Sequence, residues 1–161
     1  MSAGTTTDDQ FGKLHEWTPT LLRFALGVIF IVNGAGKVLN IGPEAVGVDG
    51  FAGFLASLSV PAPMLFAWVI GILELVGGLM LVLGVFTRTI AVLMTINMLV
   101  ALVVVHAPYG FDITNGNGSG GIEYALLLVF ASAALVFSGP GRLSLERAIG
   151  GREHLPSYFT A

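Results

Sequence analysis

The stretch Ala62–Gly84 (APMLFAWVIGILELVGGLMLVLG) is long enough to cross a lipid bilayer, and its single charge, Glu74, lies near its middle. A hydrocarbon core needs about 20 apolar residues to span it. Within it only helices or closed barrels satisfy their own backbone. Three more runs of this kind follow from the sequence: Thr20–Leu39 after Pro19, Thr89–His106 stopped by Ala107-Pro108, and Ile122–Phe137 before Ser138-Gly139-Pro140. Each is too long and too continuously apolar for a strand. The expected fold is therefore an all-α integral membrane protein with a four-transmembrane-helix bundle. Residues 20–137 form its membrane domain (20–39, 62–84, 89–106, 122–137), flanked by polar tails at 1–19 and 138–161.

Only 11% of the residues are charged, against roughly 25% in soluble domains, so a water-facing coat cannot be assembled and lipid is the expected solvent. The formal net charge of −3 argues against nucleic acid as a partner. The chain has no cysteine, which excludes thiolate chemistry and cysteine-ligated iron–sulfur clusters within it. Residues 1–19 lack the apolar core of a secretory signal, and the first apolar run is expected to be a retained anchor.

Lys13, Arg23, Arg88, Arg142, Arg147 and Arg152 fall on one side of a four-span topology. Lys37, with Glu44, Asp49 and Asp112, falls on the other. The positive-inside rule then predicts a multi-pass protein of a bacterial inner membrane with both termini in the cytoplasm. Between the first two spans, Phe51, Phe54, Leu55 and Leu58 follow the i, i+3, i+4, i+7 pattern of an amphipathic helix, expected to lie at the interface and roof one end of the bundle. The loop Asn115–Gly121 is glycine-rich with no preceding strand, so it reads as a hinge and not as a phosphate cradle.

The ionisable and amide groups of the spans are the candidate site. An intramembrane carboxylate must be protonated, paired or turned to a wet cavity, so Glu74 is either a structural ion-pair or hydrogen-bond partner or a catalytic, ligand-contacting group. Arg23 is one candidate partner, reached across roughly 10 Å of depth at 1.5 Å per residue. Asn97 is nearer in depth and Asn33 lies further toward the opposite face. Lys37, His106 and Glu123 mark one end of the bundle, either as a polar cluster or as charges that complement helix dipoles. His106 suits proton transfer better than metal binding, because the spans hold no second histidine; no metal site is expected. Arg23, Gly27, Phe30, Gly34 and Lys37 share one helical face, and Gly27, Gly34, Gly77 and Gly78 permit close helix packing.

The pattern Arg23-x3-Gly27-x2-Phe30-x3-Gly34-x2-Lys37, then Pro61, Glu74-x2-Gly77-Gly78-x2-Leu81-x2-Gly84, Thr87-Arg88, His106 and Gly121-x-Glu123 resembles the DoxX family of small four-span bacterial membrane proteins. The resemblance runs from Leu21 to Leu145 and includes the exit Gly139-Pro-Gly-Arg-Leu-Ser-Leu145. It implies a membrane subunit of a quinone-linked oxidoreductase system. Related DoxD proteins serve thiosulfate oxidation coupled to quinone reduction, and some DoxX relatives work with soluble redox proteins against oxidative stress.

With one span histidine, no cysteine and no dinucleotide fingerprint, no haem, iron–sulfur or dinucleotide site is evident. Electrons would then travel on a bound quinone or a partner. In that reading Glu74 and His106 handle protons, while Arg23, Asn33, Lys37, Glu74, Asn97 and Glu123 contact the cofactor. The alternatives are a noncatalytic anchor, docking a soluble redox enzyme through Arg142, Leu143, Leu145, Glu146 and Arg147, and a small-molecule or proton conduit. A homo-oligomer stays open.

Overall fold

A computed structural model of the protein describes residues 17–43, 45–111 and 121–148. Lys13, Glu44, Asp112, Arg152 and most of the glycine-rich loop lie outside them. Among the described residues the fold is all helical: α1 (Trp17–Val38), α2 (Gly47–Ser57), α3 (Pro63–Leu83), α4 (Thr87–Ala101), α5 (Ile122–Ser138) and the short α6 (Leu145–Ala148).

Three helices are long and apolar enough to cross a membrane: Trp17–Val38 with 22 residues, Pro63–Leu83 with 21, and the continuous run Thr87–Tyr109 with 23. The fourth apolar helix, α5, has 17 residues, or about 25 Å at 1.5 Å per residue. The exterior is the apolar side. Leu21, Leu127, Phe130 and Phe137 are 65–82% exposed, an arrangement that water disfavours and lipid does not.

The helix boundaries have local causes. Pro19 sits in the first turn of α1, where its missing N–H has no partner to lose. Pro63 opens α3 in the same way. The third span, expected from Thr89, starts two residues earlier: the chain reverses at Gly84–Phe86, with Gly84 at φ +69° and Phe86 at φ +48°, and Thr87 already begins α4. Beyond Ala101 the helix widens into a π turn, Leu102–His106, then tightens into a 3₁₀ turn, Ala107–Tyr109.

Two helix pairs make the bundle. The antiparallel helices α1 and α3 lie against each other along their length, as do α4 and α5, and the pairs meet less closely. The α1–α3 contact is backbone on backbone. A Cβ built on Gly34 falls 2.3 Å from the Leu75 nitrogen, and one on Gly78 falls 2.8 Å from the Ile31 nitrogen. Leu26, Phe30, Leu81, Met94, Leu128 and Leu135 fill the space between the pairs. Helix α2 packs on α3, burying Ala52 and Leu55 against Ala67.

At the Arg23 end the chain after α5 folds back over the bundle. Arg23 is fully buried and donates from Nη2 to the Leu143 carbonyl. Its ring contact is Phe24, 5.2 Å from the guanidinium carbon. The Glu146 carboxylate acts on it electrostatically and also accepts the Thr87 N–H at 3.1 Å, capping α4 in the orientation that the helix dipole favours. Thr20 Oγ1 accepts the Arg142 N–H at 3.0 Å.

Gly84 is the tightest point of this closure. A Cβ there lies 1.6 Å from Arg23 Nη1 and 2.6 Å from Ser144 Cβ, and the left-handed backbone adds about 1–2 kcal/mol for an L side chain. Gly84→Ala is expected to lower stability by at least that amount in thermal unfolding, with partial recovery when Arg23→Met is added to shorten the opposing head. Equal melting of Gly84→Ala and the parent would refute this packing.

Candidate functional site

Four helices converge on Glu74. Its side chain is 6% exposed; Oε2 pairs with Lys37 Nζ from α1, and Oε1 accepts from Asn97 Nδ2 of α4 at 3.2 Å. The Lys37 ammonium lies 4.8 Å from the centre of the Phe51 ring on α2, within range for a cation–π contact. Carboxylate, ammonium, amide and ring form one connected cluster in which charge is balanced.

Glycines place the lysine. Gly34 brings α1 onto α3 beside Leu75, and Lys37 follows one turn later on the same face. A Cβ on Gly71 would stand 2.7 Å from Val38 Cγ2 and 3.5 Å from Lys37 Cβ, so the bare backbone there lets the end of α1 that carries Lys37 pack close to α3. Lys37 therefore extends into the bundle, where a lysine at a helix end ordinarily reaches outward to the interface.

The expected contact between Arg23 and Glu74 does not form. Arg23 and Lys37 lie on one face of α1 but about 21 Å apart along its axis, from the rise per residue. The antiparallel register sets Lys37 beside Gly71 and Arg23 beside Gly84. Arg23 belongs to the closure at the opposite end and does not stand with the other candidate residues around Glu74.

The Lys37–Glu74–Asn97 cluster forms part of the wall of a cavity of about 760 Å³. Asn33 and His106 line it too, so five of the seven candidate residues meet there: Asn33, Lys37, Glu74, Asn97 and His106. Asn33 donates from Nδ2 to the Ile29 carbonyl at 3.1 Å. The π turn contributes Val104, Val105 and His106 to the lining; such turns recur at functional sites because they re-aim side chains. Most of the remaining wall is apolar, including Phe30, Phe51, Phe54, Ile70, Met98 and Leu128. Phe51 and Phe54 stack with ring centres 6.3 Å apart.

Glu123 does not join the lining, although the next residue, Tyr124, does. Its Oε2 is buried with no hydrogen-bond partner among the described residues. Phe51, Gly71 and Tyr124 are participants that the sequence did not single out. Phe51 carried a signal, its place in the amphipathic pattern of α2; Gly71 carried none beyond being a glycine one turn before Glu74.

The DoxX family model matches residues 18–107, from the start of α1 through the π turn, and so contains the whole Lys37–Glu74–Asn97 cluster. The chain belongs to the DoxX family. The inner membrane protein YphA of Escherichia coli is 33% identical over 140 residues, 85% of this chain and 94% of that protein. A Bacillus subtilis relative named "Putative oxidoreductase CatD" is 31% identical over 134 residues, 83% of this chain and 88% of its own. A membrane protein of Mycobacterium tuberculosis is 31% identical over 150 residues, 86% of this chain and 87% of that one. No solved structure matches the chain significantly. DoxX membership and the three long apolar helices make this a membrane protein with lipid as its surroundings.

Proposed function

We propose that this DoxX protein is the membrane subunit of a quinone-linked oxidoreductase system. The observation that carries the reading is the cavity: apolar over most of its wall, with a charge-balanced Lys37–Glu74–Asn97 cluster in it. Its volume lies within the range of about 300–1,000 Å³ typical of small-molecule sites, whose walls are mostly apolar with a few placed polar groups. A quinone ring fits that description. The name of the Bacillus subtilis relative points to oxidoreductase chemistry. The redox partner chemistry would be that of thiosulfate or sulfur compounds, or of oxidative-stress defence.

A bound quinone supplies the electron carrier that the side chains of this chain lack. The chain's own residues bind and orient it, exclude water and hold protons. Phe51 and Phe54 would hold the ring, and Asn33 and Asn97 would orient it. Glu74 and His106 are the groups that would relay protons to it.

In the bilayer, α1, α3, α4 with its π turn, and α5 are the four spans, α2 lies at the interface, and both termini are cytoplasmic by the distribution of basic residues. The residues packed between Glu74 and Arg23, among them Leu26, Phe30, Leu81 and Met94, favour a ligand site over a conduit. Exposed Leu143 and Leu145 beside Arg142 and Arg147 keep a soluble redox partner as the second reading. Glu146 is turned inward onto Thr87 and is not part of that surface.

Purification with native lipid followed by extraction is expected to recover quinone. Added quinone at a hundredfold its Kd should stabilise the protein by about 2.7 kcal/mol, read as a rise in melting temperature. Absence of quinone from the extract, together with no thermal shift for either short-tailed or long-tailed quinones, would remove this reading.

A further inference from the structure

The cavity carries its charged pair on the inner wall and an apolar rim outside it. Lys37, Glu74 and Asn97 meet within the bundle. From Glu74, Ile70 and Phe66 continue one face of α3, and from Asn97, Val100 and Val104 continue α4 into its π turn. Steps of three and four residues keep side chains on one helical face. All four line the cavity. Phe66, Val100 and Val104 are also 41%, 54% and 38% exposed, so they stand where the wall runs out onto the apolar exterior of the bundle.

The helices that carry this rim form a fork. At its closed end a Cβ on Gly77 would lie 2.6 Å from Met94 Cε and 3.3 Å from Ile90 Cγ2, so α3 and α4 touch there. One turn further on, Asn97 and Glu74 are joined by their hydrogen bond. Beyond that bond the cavity separates the two helices. Helix α2 covers the α3 side, packing on α3 and α1, whereas the π turn packs on α5. The cover and the π turn therefore belong to opposite sides of the crevice, which opens sideways onto the surface that lipid surrounds.

Resting on the proposed quinone site, we infer that the site is loaded sideways from the bilayer through the crevice between α3 and α4, and that the hydrocarbon tail of the bound molecule stays there between Phe66 and Ile70 on one side and Val100 and Val104 on the other. The order of polarity carries this. A ligand arriving from water would shed its hydration at an apolar rim before it reached a polar group, which is costly. A molecule dissolved in the bilayer meets at the rim a surface like the lipid it leaves. At the inner wall it finds hydrogen-bonding groups that lipid lacks. Glu74 and Phe66 lie about 12 Å apart along α3, at 1.5 Å per residue, so a ring beside Glu74 needs a tail to cover the crevice. The class that fits is an amphiphile with a planar polar head and a hydrocarbon chain.

The test is photolabelling of the unmodified protein in lipid nanodiscs, using a quinone whose decyl tail carries a diazirine at its middle, with the labelled residues mapped by peptide mass spectrometry. Label is expected at Phe66, Ile70, Val100 and Val104, and an excess of about a hundredfold of the same quinone without the diazirine should reduce it by roughly tenfold or more. Leu127 and Phe130, on the outer face of α5 and 65% and 66% exposed, report the lipid phase, and their label should not fall. Competed label confined to other residues would overturn the inference. So would label at the four positions that excess quinone does not displace, which would make a lipid acyl chain the occupant. In either case thermal stabilisation by quinone leaves the site reading standing. No stabilisation and no competed label anywhere would remove both.

Discussion

Lys37→Met alone is expected to cost about 3–5 kcal/mol of stability, and Glu74→Leu alone a similar amount, whereas the double replacement should melt within about 1 kcal/mol of the parent. Removing one member strands the other. Without Lys37, the Glu74 carboxylate is buried among apolar side chains with a single amide donor, Asn97, at 3.2 Å. Without Glu74, the ammonium keeps only the Phe51 ring at 4.8 Å, and lipid offers no water to replace the carboxylate.

Removing both exchanges a costly desolvated pair for two apolar side chains of similar bulk, which buried ion pairs tolerate well. Thermal unfolding in lipid nanodiscs measures all four proteins, and the difference between the double and the summed singles gives the coupling. A double variant no more stable than the worse single would show that the two charges do not act as a pair. Ligand retention separates structure from chemistry. If the proposed quinone site is right, the double variant is expected to fold and yet retain less quinone, because the cavity has lost the charged pair in its wall.

How much of this site the sequence disclosed depends on the kind of information each part needs. That Glu74 must be answered by something was legible, because a carboxylate within an apolar run has few physical options. Its partner was not. Arg23 and Lys37 lie on the same face of α1, so helical periodicity cannot choose between them. The antiparallel register decides, and it is set by which small residue on α3 receives which glycine on α1.

Gly34 could be recognised as a contact residue, but its seat against Leu75 is a pairwise fact that no single helix contains. The same holds for the seat of Val38 against Gly71. Helix α2 was visible from the spacing of Phe51, Phe54, Leu55 and Leu58. That Ala52 and Leu55 turn inward while Phe51 meets the Lys37 ammonium depends on how α2 docks. The π turn at Leu102–His106 left no trace in composition, since a widened turn and an ordinary one accept the same apolar residues.

Gly34 is also where the largest purely steric effect is expected. A Cβ at this position meets Leu75 at its nitrogen (2.3 Å), Cα (2.7 Å) and Cβ (2.8 Å). Two of these atoms are main chain within a helix and cannot swing aside, so α1 and α3 must separate. Overpacking of this kind costs about 1–3 kcal/mol, and Gly34→Ala should fall at the upper end, with Gly34→Val beyond it.

Gly53→Ala is the matched control. Nothing lies within 4 Å of a Cβ built there, and alanine in a helix interior is favoured over glycine by roughly 0.5–1 kcal/mol. The two substitutions are chemically identical and should move the melting temperature in opposite directions. The displacement also reaches the site, because Lys37 and Glu74 are brought together by the same α1–α3 contact. Gly34→Ala should therefore loosen the ion pair, and the further cost of Lys37→Met should be smaller in that background than in the parent. An unchanged cost of Lys37→Met would mean that the pair forms without the close approach, and would break the link between the glycine seam and the charged cluster.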